Sequence, residues 1–352
     1  MSNNNCIVVA YNQLESFKKE NSGITILDKF EDQIEELFFI RNPRFRFEKG
    51  HDSELSTFRN AQKGDKEWEE LGSWIYFPWK KQLVHYLSED TYLELRTARN
   101  KNLISNDEQD KLYKAKIGVA GLSVGSHVLS VLAMTNIGGT IKLADLDVVS
   151  ASNLNRVRYD ATQIGQEKCQ LGYEYLSQVN PYLQIEKFEE GVNKENIEQF
   201  LNEPKLDILI EEMDDLEMKI RIRFAAKKLG IPVIMATDNG DNVIVDVERY
   251  DLDPDLPIFN GLIGDITMEE FEKFDPRELP RLASKIVGEK FIVPRMLTSL
   301  QEVGKTLYSW PQLGGAAALS GVVAAYVAKK IILGEKIRTG KMEVNLDEIF
   351  TL

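Results

Sequence analysis

Between Gly121 and Lys168 the chain carries the residue types that grip a nucleotide. These are a turn of small residues (Gly121, Ser123, Gly125, Ser126), two aspartates (Asp145, Asp147), an amide (Asn153) and two cations (Arg156, Lys168). Small residues let backbone N–H groups approach phosphate oxygens closely, and a helix starting at such a turn points its positive end at them. An acid closing the next apolar run, as Asp145 does, is placed to hydrogen-bond ribose hydroxyls. Arg156 and Lys168 would offset phosphate charge, with Asn153 as a neutral donor. The turn departs from G-x-G-x-x-G, because Ser123 and Ser126 stand where the second and third glycines would be. An NAD(P)-dependent oxidoreductase would use the same turn and Asp145, but it leaves Arg156 and Lys168 without a task.

Positioning these groups requires alternating strands and helices. Short apolar runs predict strands at 117–120, 141–144, 183–188, 206–210 and 233–236. Amphipathic spacing predicts helices at 126–136, 168–178, 195–201 and 216–229. The alternation is that of a doubly wound, Rossmann-like α/β fold with a mostly parallel sheet. Asp238-Asn239-Gly240 is a turn signal, and 243–250 should return as an antiparallel strand, making the sheet mixed.

At this point the sequence resembles the ThiF/MoeB family, bacterial relatives of the ubiquitin-activating enzymes that adenylate a carboxylate with MgATP. The family pattern D-x-D-x-V-x-x-S-N-L-x-R is matched by Asp145, Asp147, Val149, Ser152, Asn153, Leu154 and Arg156. The following G-Q-x-K is matched by Gly165, Gln166 and Lys168. The family's T-D-N appears as Met213-Asp214-Asp215, so the resemblance makes Asp214 the Mg²⁺ ligand. Upstream, Arg96-Thr97-Ala98-Arg99 is similar to R-Y-x-R, and Arg99 would then reach the ATP phosphates of the other subunit in a homodimer. WPQLGGAAALSGVVAAYVAKKIILGE resembles the family's glycine-rich loop and last core helix, and the likeness runs from about residue 95 to 350. It implies a domain over 91–352, with nucleotide binding in 114–250 and a substrate and crossover part in 251–352, behind a 1–90 region of unknown role. It also implies catalytic roles for Arg99, Arg156, Lys168 and Asp214, with Asp147 assisting the metal or orienting Arg156. The acyl substrate would be a peptide, a ubiquitin-like tail or a small acid. A non-catalytic nucleotide-binding scaffold is the remaining alternative.

Composition narrows the field. A formal charge of −13 over 352 residues argues against a broad nucleic-acid surface, which needs clustered Lys and Arg. Many members of the family this sequence resembles carry a nucleophilic cysteine after the fifth strand; the two cysteines here, Cys6 and Cys169, include none between Gly240 and Trp310, so the resemblance implies that an acyl group passes to an external nucleophile. The three histidines lack ligand spacing, and the N-terminus has no basic segment followed by an unbroken apolar one. A cytoplasmic protein is expected. The apolar stretch 314–333 is broken by Lys329 and Lys330 and reads as a core helix, not a membrane span. In 1–90, a helical pattern is read over 27–39, and Trp74, Tyr76, Phe77 and Trp79 are read as core. Thr267 opens a capping box, and a helical pattern covers 295–307.

Overall fold

A computed structural model describes residues 5–274, 282 and 285–351; Pro276 and Pro280 of the proline-bearing segment lie outside them. The chain divides into two compact units, 1–106 with 180–182, and 107–179 with 183–352.

The larger unit is built on a seven-stranded sheet. Its parallel core comprises β5 (Lys116–Ala120), β6 (Thr140–Ala144), β7 (Gln184–Phe188), β8 (Ile208–Glu211) and β9 (Val233–Asn239). An antiparallel flank adds β10 (Asn242–Glu248) and β11 (Gly340–Val344), in the order β11-β10-β9-β8-β5-β6-β7. The inner strands are apolar because both sheet faces are covered there: Ile117, Val119, Ile208, Ile210 and Val233 are fully buried. Each such side chain contributes roughly 1.5–3 kcal/mol. Helices α6 (Gly125–Thr135), α7 (Lys168–Val179) and α9 (Leu216–Leu229) follow β5, β6 and β8 as the alternation predicts, and the Gly314–Leu333 helix packs on α6, β9 and β10. That last helix is long and apolar enough to cross a membrane, but half of its apolar window is buried inside the unit.

The smaller unit carries a four-stranded sheet of β1 (Ile7–Val9), β2 (Thr25–Asp28), β3 (Ser73–Phe77) and β4 (Gln82–Tyr86), in the order β1-β3-β4-β2. Trp74 and Phe77 are buried as expected, and His85 is stacked between Phe30 and Trp74 at centroid distances of 4.2 and 4.1 Å. The helix expected from residue 27 begins later. Thr25–Asp28 pairs with β4, and α2 (Phe30–Arg41) starts where the Asp28 carboxylate accepts the Phe30 N–H at 3.1 Å. Strand pairing overrides the helical period of the sequence there. Thr267 does cap a helix, Met268–Glu272, with a complete capping box, while the helix expected over 295–307 is the shorter Pro294–Leu300, followed by turns.

Candidate nucleotide site

The chain runs from β5 out to β6 and β7 on one side and returns to β8 on the other, so a crevice opens at the carboxyl ends of β5 and β8. A cavity of about 230 Å³ occupies it. Its wall brings together Gly121, Ser123, Asp145, Asp147, Lys168 and Asp214, drawn from the ends of three strands and the start of α7.

Gly121 turns at φ +91°, a conformation that favours glycine, and a Cβ there would lie 2.4 Å from the Glu212 carbonyl oxygen. The Gly121 N–H is taken by the Ala144 carbonyl and the Leu122 N–H by Asp145 Oδ2 at 2.6 Å. The donors left without a chain acceptor, among the described residues, are the N–H groups of Ser123, Val124 and Gly125, at the start of α6. The turn therefore has free N–H groups where helix and turn donors converge, as an anion site requires.

Asp145 is held on both oxygens, with Oδ1 accepting the Asp147 N–H at 2.8 Å. Burial pushes its carboxyl above the ordinary range, against the pull of Lys168, which lies 3.8 Å away. Lys168, itself 3% exposed, places Nζ 2.9 Å from Asp147 Oδ2 and 3.3 Å from Ser123 Oγ. One buried ammonium on the cavity wall thus ties the turn to both aspartates. Asp214 is exposed, whereas Asp215 is committed as the N-cap of α9, accepting the Met218 N–H at 3.0 Å.

Several expected residues fall elsewhere. Gly125 and Ser126 do not line the cavity; Ser126 is buried, with its hydroxyl donating to the Ser123 carbonyl and accepting the Arg158 N–H. Asn153 caps its own loop by accepting the Ser150 N–H. Arg156 also lies off the wall. Its Nη1 donates to the Ser152 carbonyl and to Asn155 Oδ1, and its Nε is buried without a hydrogen-bond partner. Arg99 is exposed in a turn after the Glu89–Thr97 helix of the smaller unit.

Sequence reasoning did not single out Glu212, which lines the cavity and accepts the Ala236 N–H. The signal was its place just past a buried strand, where the crevice must lie. A buried ion network behind it was also missed. Arg223 bridges Glu211 at 2.6 Å and Glu248 at 2.7 Å, Lys219 joins Glu211 at 3.0 Å, and Tyr250 donates to Glu248. This network fixes the ends of β8 and β10 against α9, and with them the segment that carries Glu212 and Asp214.

The fold and crevice define a doubly wound α/β protein with a candidate nucleotide site at its topological switch point. The ThiF family model matches residues 97–341, and the chain belongs to that family. It is 36% identical over 278 residues to uncharacterized protein MT1398 of Mycobacterium tuberculosis, covering 79% of this chain and 38% of that protein. It is 27% identical over 158 residues to molybdopterin-synthase adenylyltransferase of Haemophilus influenzae, covering 44% of this chain and 63% of that one. The chain thus spans less than two thirds of either curated relative. A solved structure of TcdA (CsdL) shares the fold at a TM-score of 0.51 and 19% identity, covering 70% of this chain and 96% of that chain.

Proposed function

We propose that this chain is an ATP-dependent adenylyltransferase: a substrate carboxylate oxygen attacks the α-phosphorus of ATP, the bond to pyrophosphate breaks, and an acyl adenylate forms. The observation that carries this reading is Lys168, buried and clamped between Asp145 and Asp147 at the mouth of the glycine turn. Hydride transfer to a dinucleotide develops no phosphate charge for such a group to offset, whereas a phosphoryl transition state does. The free Ser123 N–H on the cavity wall meets phosphate, backed by the free N–H groups of Val124 and Gly125 at the start of α6, and the buried Asp145 presents acceptor oxygens to the ribose. Arg156, although off the cavity wall, adds positive charge to the loop beside it, and Asn153 holds that loop in shape.

The carboxylates fit magnesium. Asp214 is exposed on the cavity wall, which Asp147 also lines while paired with Lys168, and Mg²⁺ binds through one or two carboxylates together with phosphate oxygens and water. Bound there, the ion would neutralise charge on the leaving pyrophosphate.

The activated acyl group goes to an external nucleophile. Cys169 is fully buried in α7 and its thiol is pushed up to about 12 by burial, so it is not a nucleophile at neutral pH. Cys6 belongs to the other unit. The acyl substrate is a carboxylate-bearing peptide, ubiquitin-like tail or small acid, and the working unit is a cytoplasmic homodimer with Arg99 supplied in trans. Residues 91–352 carry the chemistry and 1–90 form an accessory region.

ATP–pyrophosphate exchange against pools of candidate carboxylates tests the reading. Carboxylate-dependent exchange is expected; tight NADH binding with no binding of MgATP would reject it in favour of an oxidoreductase.

A further inference from the structure

We infer that Asn155, which no motif marks, is the positioning residue that sets the Arg156 guanidinium; the inference rests on the assignment of Arg156 to the ATP phosphates. Asn155 Nδ2 donates to the Gln312 carbonyl at 2.8 Å, 157 positions away in the chain, and Oδ1 accepts Arg156 Nη1 at 2.9 Å. The amide can stand only one way round: a flip would set its NH₂ group against the guanidinium donors and its oxygen against the Gln312 carbonyl.

The anchor beyond Asn155 is rigid. A Cβ on Gly314 would lie 2.4 Å from the Asn155 carbonyl oxygen, so the helix start presses on this loop backbone to backbone. The Gln312 side chain donates to Asp238 Oδ2 at 3.3 Å, and Ser320 donates to Asp238 Oδ1 at 2.9 Å, which ties the anchor to the end of β9. From the other side His127 Nε2 meets the Arg156 carbonyl at 2.9 Å. Burial lowers the basicity of that ring, so it is a neutral imidazole donating its N–H.

Arg156 itself makes no carboxylate ion pair within salt-bridge distance among the described residues, and its two bonds go to neutral oxygens. Its charge is thus held without a direct ion pair, although the carboxylate of Asp238 lies near enough to feel it, and its Nε is buried without a hydrogen-bond partner. An arginine held by a neutral amide keeps its full attraction for phosphate, whereas one held by a carboxylate would share it. Asn155 thus holds the guanidinium through a neutral oxygen that takes none of its charge.

The test measures binding of MgATP and of AMP by calorimetry to wild type, Asn155→Leu, Asn155→Asp, Arg156→Ala and the Asn155→Leu/Arg156→Ala double variant. Asn155→Leu should weaken MgATP about tenfold while AMP, which lacks the β- and γ-phosphates, changes by less than about twofold, and the double variant should be no weaker than Arg156→Ala alone. Asn155→Asp keeps the acceptor for Arg156 but loses the donor to Gln312, and should fall between wild type and Asn155→Leu. Equal losses for MgATP and AMP, or additive losses in the double variant, would assign Asn155 a merely structural role and overturn the inference. If wild type bound AMP and MgATP alike, the assignment of Arg156 to the phosphates would fall, and this inference with it. If wild type prefers MgATP and Asn155→Leu matches it, only the inference falls.

Discussion

Gly121 and Glu212 lie so close that a Cβ on Gly121 would sit 2.4 Å from the Glu212 carbonyl oxygen. The contact joins the turn after β5 to the segment after β8, the two sides of the proposed nucleotide crevice. It follows from the parallel pairing of these strands, in which Ala120 stands opposite Glu211.

Gly121→Ala should therefore damage the site in two ways, through the left-handed backbone and through the collision with backbone that cannot swing aside. The conformational part alone costs about 1–3 kcal/mol. Nucleotide binding should be lost in calorimetry and the thermal midpoint lowered. A variant that binds MgATP like wild type would contradict the close approach.

Asp238 gives a pH dependence with a definite sign. Burial raises its carboxyl above the ordinary range, while Ser320, Gln312 and Arg156 oppose the shift without cancelling it. The native state then holds more protons than the unfolded state, so the stability from this group is full below the unfolded value and is lost as pH rises through the folded one. Asp238→Asn removes that loss. Relative to wild type, the variant should gain stability as pH rises, by about 1.4 kcal/mol for each unit of the shift. Denaturant unfolding from pH 4 to pH 8 measures this, and a difference independent of pH would show that Asp238 titrates as an ordinary carboxylate.

Arg99 is exposed, as a group reaching another copy of the chain must be. Arg99→Ala and Asp145→Ala proteins should each be nearly inactive in pyrophosphate exchange. After mixing with confirmed subunit exchange, about half the dimers are hybrids with one intact site of two, so roughly a quarter of wild-type activity should return. No recovery would place Arg99 in the service of its own chain.

Much of the fold and part of the site could be read from the residues. The runs that became β5, β6, β8 and β9 are short and largely apolar because each is buried on both faces, whereas the edge strand β7 is only half-buried; the spacing within α9 matches the predicted limits of 216 and 229 because one helical face alone meets the sheet. Asp145, Asp147 and Lys168 were legible because they lie within one strand-loop-helix passage, where separation along the chain nearly sets separation in space. The strand at Thr25–Asp28 was not, since its partner β4 lies more than fifty positions away and pairing there outweighs local period. Only the tertiary structure could join Glu211 and Glu248 through Arg223, or Asn155 to Gln312. Such contacts depend on which ends of β8, β9, β10 and the last helix arrive together, and a hydrogen bond between polar side chains leaves no periodic trace in the sequence that makes it.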